Sequence, residues 1–375
     1  NAQDLPTIKM WRWGGTSFEV TQDNAVRAAF PEMNNAYNTE VVAIGENAFS
    51  VAEQFRLALA AGRSDDFPDL IMLNRTQVTE FARAGVLTDL GDVFAQYSDD
   101  LFPSVVSMAQ SDEQFVCFPR DLKSKIFMYR ADMFEDAGIT LEDLNTVSGF
   151  IDAGNRLREV FPESSILNMG PQITQYYTHM VLSAYDDPRF AEEDGTYRVT
   201  SEPAFAEMFQ LWKDIYSSGI TMPIDDWSAD WQQAFADEAI SGMLIANWMK
   251  LFLPDFAPEQ AGLWRVAPWP SLGPLADQTY GSEAGGAVFV VPQNAPNRDF
   301  AIDFAVKQIM EPAGALSIFE ATGFTPLLNS TRDQVIDLVT NAEKPADLTD
   351  EEWATHPFTF FGPELLEVEF QTYET

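Results

Sequence analysis

The N-terminal part of the chain alternates between short apolar runs and amphipathic segments, and few architectures accommodate that pattern. Ile8 to Trp13 (IKMWRW) ends at Gly14-Gly15-Thr16 and reads as a strand opening into a loop. The spacing predicts a helix over 23–30, a strand over 40–44 and a helix beginning near Ser50. Ser50 with Glu53 three residues on forms a capping box, and Gly62 after LALAA is a natural stop. Asp69 to Leu73 (DLIML) is a further strand ending at Asn74. A βαβαβ order of this kind builds a mostly parallel sheet, and ligands bind open α/β sheets at the loops of the carboxyl edge.

The stretch from Phe115 to Gly138 (FVCFPRDLKSKIFMYRADMFEDAG) interrupts that pattern. Two apolar runs are joined without a turn signal, and Pro119 can neither donate to a ladder nor leave its φ free. It is either a bent strand within one sheet or a strand that crosses between domains, and we take the crossing as the expectation. At about 150 residues per domain, 375 residues make two or three domains.

Charge narrows the partners. The chain carries 58 acidic against 22 basic residues, a formal net charge of −36, and such a field repels phosphate backbones and anionic membranes. Nucleic acid is therefore not an expected partner. Apolar runs such as Gly286 to Val291 are far shorter than the roughly 20 residues that span a bilayer, so a soluble chain is expected. Cys117 is the single cysteine and lies in an apolar run, as a small buried hydrophobe does. A chain starting at Asn1 is what removal of a leader would leave.

Further along, 152–161 reads as a helix and Gly170 to Tyr177 as a loop. Phe205, Met208, Phe209, Trp212 and Tyr216 fall on one helical face and are expected in the core. Met243 to Ala246 reads as a strand ending at Asn247-Trp248, a suitable place for a binding ring, with plain packing of Trp248 as the alternative. Val266 to Pro270 (VAPWP) reads as a second crossing and Glu311-Pro312 as a third. Ala287 to Val291 is a strand, Asn297 caps a helix with Ala301, Phe304, Ala305 and Ile309 on one stripe, and the C-terminal tail is expected to pack helices on the second domain.

The segments AGRSDDFPDLIMLN, FARAGVLTDL, MYRADMFEDAGI, AFADEAISGMLIANW, WRVAPWP, GGAVFVVPQNAPNRDFAIDFAVKQIM and GFTPL, in that order, resemble the extracellular solute-binding proteins of ABC importers, in the sugar-binding family that includes the maltose-binding protein. The resemblance covers nearly the whole chain. It implies an α/β, two-lobed Venus-flytrap fold, each lobe a mostly parallel sheet flanked by helices, with three hinge crossings. The lobes would be 1–118 with 270–311, and 119–269 with 312–375. By the same resemblance, the ligand contacts are Trp13, Gly14, Glu46, Asn47, Asn74 and Arg75 in the first lobe, Arg120, Asp121 and Lys123 at the hinge, Gln172, Tyr176, Trp227, Trp231, Asn247 and Trp248 in the second lobe, and Gly285 and Gly286 in the glycine loop. Lys123 stands where the maltose-binding protein has an acidic contact. With Arg120 it raises the possibility of an anionic sugar, against the alternative of a salt bridge to Asp121 or another nearby acid.

Machinery for catalysis is sparse. The chain has two histidines, His179 and His356, and no HExxH, GxSxG, Walker or GxGxxG motif. Asp226 and Asp230 are a carboxylate pair of the kind a glycosidase uses, but close pairs arise by chance among so many acids. Sugar capture needs aromatic faces for the C–H side of a pyranose and polar groups for its hydroxyls. Nine tryptophans supply the former, and Trp13, Trp227, Trp231, Trp248 and Trp269 fall at expected strand ends or loops. The expectation is non-catalytic capture of a mono- or short oligosaccharide by hinge-bending closure, and delivery to the permease subunits of an ABC importer. The protein is expected to be a monomer without cofactor or metal, periplasmic or extracellular, and compatible with a lipid anchor. An acidic sugar, another small solute and a glycoside-active enzyme are the alternatives.

Overall fold

The computed structural model describes residues 5–45, 47–62, 67–170, 191–192, 194–270, 272, 286–344, 349–362 and 364–374. It divides into two compact units, Asn1–Leu122 with Gly285–Asp337 and Glu374, and Lys123–Ala284 with Leu338–Tyr373 and Thr375. In chain order the first unit contributes β1 (Thr7–Arg12), α1 (Ser17–Ala29), β2 (Asn38–Ala43), α2 (Ala48–Ala60), β3 (Leu70–Asn74), α3 (Arg75–Arg83) and β4 (Phe118–Pro119). The second contributes β5 (Lys125–Arg130), α4 (Val147–Val160), α5 (Pro203–Ser217), α6 (Ala229–Ala236), β6 (Gly242–Ala246) and β7 (Trp264–Pro268). The chain returns to the first unit with β8 (Ala287–Val290), α7 (Arg298–Ile309) and α8 (Pro312–Thr322), and α9 (Glu364–Tyr373) belongs to the second.

In the first unit the strands run β2-β1-β3-β8-β4. β1 is parallel to β2 and β3, while β8 is antiparallel to β3 and β4. Ile8, Met10, Ile71, Leu73, Val288 and Phe289 are buried, so the apolar runs are central strands covered on both faces. Asn47, rather than the expected Ser50, starts α2: its side-chain oxygen accepts from the Ser50 amide at 3.1 Å. Gly62, in the left-handed region at φ 62°, stops the chain beyond its end as expected.

The second unit departs from the expected mostly parallel sheet. Its three-stranded sheet is antiparallel, with β5 between β6 and β7. Among the described residues parallel pairing there is confined to Leu167–Asn168 with Thr221–Met222 and the bridge Ser165 to Ile240. Phe127, Phe150, Phe205, Trp231 and Trp264 fill its core, joined by Phe360, Phe361 and Leu365 from the tail. On α5 the buried stripe is Phe205, Met208, Leu211, Trp212 and Ile215, which leaves Phe209 and Tyr216 exposed rather than in the core.

Two of the three expected crossings move. The chain does leave the first sheet after Pro119, and the units divide between Leu122 and Lys123. Val266 to Pro268, however, is ladder throughout, as an edge strand that tolerates its proline. Glu311-Pro312 is a helix start within the first unit, with Pro312 in the first turn, where its missing N–H costs nothing. α8 packs on α1, and the Ser317 hydroxyl donates to the Ala25 carbonyl at 2.7 Å. Residues 312–337 therefore belong to the first unit, not to the second as expected, and the last division falls between Asp337 and Leu338. Among the described residues no helix is long and apolar enough to cross a membrane.

Candidate functional site

In the first unit, the expected contacts gather at the carboxyl ends of β1, β2 and β3. Gly14, at φ 68°, donates its amide to the Gly45 carbonyl at 2.9 Å, which ties the loop after β1 to the loop after β2. The half-buried Trp13 is fixed through its carbonyl, which accepts from Arg12 Nε at 2.6 Å. Asn47 caps α2, and Asn74 starts α3 with its amide donating to Gln77 Oε1 at 3.1 Å. Gly286 meets the end of β3, its carbonyl accepting from the Arg75 amide at 2.9 Å. A Cβ on Gly286 would lie 2.1 Å from Met108 Cε and 2.5 Å from the Asp121 carbonyl oxygen, so only glycine permits this approach.

The arginines of the expected site serve the scaffold instead. Arg75 donates through Nε to the Met108 carbonyl at 2.6 Å and through Nη2 to that of Gln110. Arg120 is buried inside the first unit: its Nη2 reaches Glu19 Oε1 at 2.9 Å and Gln22 Oε1 at 3.0 Å, and its guanidinium lies over the Phe18, Phe289 and Phe324 rings. Glu19 also pairs with Arg12, so one buried carboxylate is shared by two guanidinium groups. Burial lowers the Arg120 pKa to about 10 and, with repulsion from Arg120, that of Arg12 to about 10. Of the two alternatives for Arg120, the structure shows the salt bridge to a nearby acid, and that acid is Glu19. Asp121 is likewise engaged, its Oδ1 accepting from the Ala287 amide. Lys123 is half-buried and forms no ion pair among the described residues.

The second unit brings together an aromatic face. Trp227 is 42% exposed and stacks on Trp248, with ring centroids 5.4 Å apart at 21°. Phe252 meets both edge-on, at 5.1 Å from Trp227 and 5.9 Å from Trp248. Trp231 lies beneath, fully buried, 5.6 Å from Trp227 and packed on Phe235 and Phe256. Trp231 is thus footing rather than contact surface, and Trp269, buried with its Nε1 donating to the Ile126 carbonyl, is core. Trp227 has φ 67°, a left-handed backbone that is rare for a bulky residue and worth roughly 1–2 kcal/mol of strain. The turn holding it is tied on both sides: the Ser228 hydroxyl donates to the Asp225 carbonyl at 2.7 Å and accepts from the Trp231 amide at 3.1 Å, capping α6. Phe252 was missed in the sequence, although its position four residues after Trp248 was a usable signal.

Asn247 follows β6 directly, its amide donating to the Ser124 carbonyl at 3.0 Å. Glu46, Gln172, Tyr176, Gly285 and His179 lie outside the described residues. Asp226 is buried and Asp230 exposed at the start of α6, so the two carboxylates occupy different environments. Burial lowers the His356 pKa. Among the described residues no group of three His, Cys, Asp or Glu side chains is placed to hold a metal ion.

Residues 25–346 match the model of a family described as bacterial extracellular solute-binding protein. Over 328 residues, 85% of this chain and 73% of the relative, the chain is 18% identical to the arabinooligosaccharide-binding protein of Bacillus subtilis (strain 168). A solved ABC transporter associated binding protein from B. animalis subsp. lactis Bl-04, in complex with beta-1,6-galactobiose, superposes with a TM-score of 0.73 at 21% identity, covering 98% of this chain and 86% of the other. UgpB from Mycobacterium tuberculosis, in complex with glycerophosphocholine, gives 0.69 at 20% identity over 88% of this chain and 84% of the other. The chain shares the fold of these proteins.

Proposed function

Because the chain belongs to the bacterial extracellular solute-binding protein family, we propose that it captures a mono- or short oligosaccharide without chemistry and delivers it to an ABC importer. The observation that carries the sugar reading is the Trp227–Trp248 face, stacked at 5.4 Å and partly open to solvent on a strained backbone. Strain of this kind persists only where the surroundings hold it, and it concentrates at functional positions. An indole face suits the C–H side of a pyranose, and each stack adds about 0.5–1.5 kcal/mol beyond area burial. The galactobiose complex and the arabinooligosaccharide relative support the substrate class. Capture would proceed by ligand-dependent hinge bending, with the chain crossing after Leu122, between strands, as a bending point. A monomer acting outside the cytoplasm and docking on permease subunits completes the reading.

Tryptophan fluorescence titrated with β-galactobioses, arabino-oligosaccharides, maltodextrins and glycerophosphocholine, beside a hydrolysis assay on the same sugars, tests it. Saturable binding of at least one sugar without turnover is the expected result. Turnover would make the protein an enzyme, and binding confined to glycerophosphocholine would overturn the sugar assignment.

A further inference from the structure

We propose that the C-terminal helix α9 is the positioning element of the tryptophan face, with Glu369 and Tyr373 holding the turn that carries Trp248. The inference rests on the sugar-capture reading for its functional meaning. Its geometry is independent of the ligand.

The turn Asn247–Leu251 is a 3₁₀ helix that leaves β6. Three residues complete a 3₁₀ turn, so Asn247 and Lys250 project from one side while Trp248 projects from another. That side is anchored at two points on α9. Asn247 Nδ2 donates to Tyr373 Oη at 3.2 Å, and Lys250 Nζ donates to Glu369 Oε1 at 2.7 Å and Oε2 at 2.9 Å. Glu369 and Tyr373 are four apart and share one face of their helix. An i, i+3 pair on the turn thus meets an i, i+4 pair on the helix, across more than a hundred residues of sequence. All four residues are buried, with Glu369 at 0% and Lys250 at 4% exposure. A buried carboxylate that chelates an ammonium tolerates little displacement, because any gap leaves a charge uncompensated away from water. Rotation of the turn about its axis is therefore suppressed, and the Trp248 ring is delivered to its stack on Trp227. Neither Glu369 nor Tyr373 belongs to the aromatic face itself.

The test uses the full chain and two independent readouts. A stacked indole pair gives an exciton couplet in circular dichroism, which reports the Trp227–Trp248 geometry without ligand, and Trp248→Phe identifies that signal. Glu369→Gln is expected to lower the couplet and to weaken the best-bound sugar of the panel by about tenfold, the scale of loss from a misplaced contact group. Tyr373→Phe removes one hydroxyl and is expected to weaken it by about threefold, the value of one hydrogen bond. Leu157→Ala, which destabilises the same core away from the turn, is expected to leave both couplet and affinity unchanged. Wild-type couplet and affinity in folded Glu369→Gln and Tyr373→Phe would overturn the proposal. So would an equal loss of couplet in Leu157→Ala. Should Glu369→Gln fail to fold, Tyr373→Phe decides alone. If the wild-type protein binds no sugar of the panel, the functional reading fails, while the couplet still decides whether α9 sets the stack.

Discussion

Trp227 is the position where backbone strain and the proposed contact surface coincide, and the pair Trp227→Ala and Trp227→Gly separates the two. With 42% of the residue exposed, the covered part of its side chain is about 120 Å², or about 3 kcal/mol at ~25 cal/mol per Å². Loss of the Trp248 stack adds about 0.5–1.5 kcal/mol, so Trp227→Ala should destabilise the second unit by about 3.5–4.5 kcal/mol. Glycine loses the same contacts but accepts φ 67° without a Cβ penalty. At an ordinary position glycine would be the less stable of the two through its unfolded-state entropy. Here Trp227→Gly should exceed Trp227→Ala by about 1 kcal/mol, the left-handed penalty less that entropy. Urea denaturation of both variants measures the difference, and calorimetry with the best-bound sugar measures the contact. Both variants should bind at least about tenfold more weakly, since the stack is lost and Trp248 loses its partner. A Trp227→Ala variant as stable as Trp227→Gly would refute the strain argument. Unchanged sugar affinity in both would refute the aromatic face.

Gly286→Ala should destabilise the first unit by about 1–3 kcal/mol, because its Cβ meets the Asp121 carbonyl oxygen at 2.5 Å and backbone must shift; thermal unfolding reads the change. Lys125 gives a pH dependence: burial lowers its pKa to about 7, below the usual lysine value of 10.5. Between those values the unfolded state holds more protons, so this group makes stability rise with pH from about 7 to about 10.5, and its burial penalty is complete below that window. Denaturation midpoints across the window should rise less in Lys125→Met than in the parent chain. Glu19→Gln should cost about 3–5 kcal/mol, since it leaves Arg12 and Arg120 buried without their shared carboxylate, and chemical denaturation would show it.

What was legible in the sequence follows from which forces are local. The strand at Asp69 announces itself because a buried central strand is a continuous apolar run, the strands at Ile8 and Glu40 because short runs of apolar and β-branched residues precede turn signals, and Gly62 because a left-handed stop needs glycine. The departure at Pro119 was legible for the same reason. The other two crossings were not: Pro268 and Pro312 carry the same local signal, but one ends an edge strand and the other starts a helix. Only neighbours distant in sequence distinguish these uses. The site divides in the same way. An aromatic at a strand end is visible in the sequence, yet nothing local says that Trp231 lies beneath Trp227 or that Trp269 is enclosed. For Arg120 the sequence allowed a salt bridge but could not name its partners, Glu19 and Gln22, which are about a hundred positions away.

The fate of the arginines sharpens the question of ligand charge. Arg75 donates to two backbone carbonyls and Arg120 to Glu19 and Gln22, so both guanidinium groups already serve the first unit's scaffold. Lys123 is the remaining basic residue of the expected set, half-buried and without an ion pair among the described residues. An ammonium reads charge as a point, without the bidentate fork of an arginine, and its contribution is screened by salt when solvent reaches it. If it reads an anionic group, Lys123→Ala should weaken a uronate-containing disaccharide about tenfold and its neutral counterpart no more than about twofold, within the range of a charge-assisted hydrogen bond. The uronate preference of the parent chain should also shrink as sodium chloride is raised. Calorimetry on the matched pair at two salt concentrations provides the comparison. Equal losses for both sugars would mean that Lys123 contributes only ordinary hydrogen bonding or packing. The net charge of −36 would then oppose anionic ligands with no residue of the expected contact set offsetting it, which would favour neutral sugars as the substrate class.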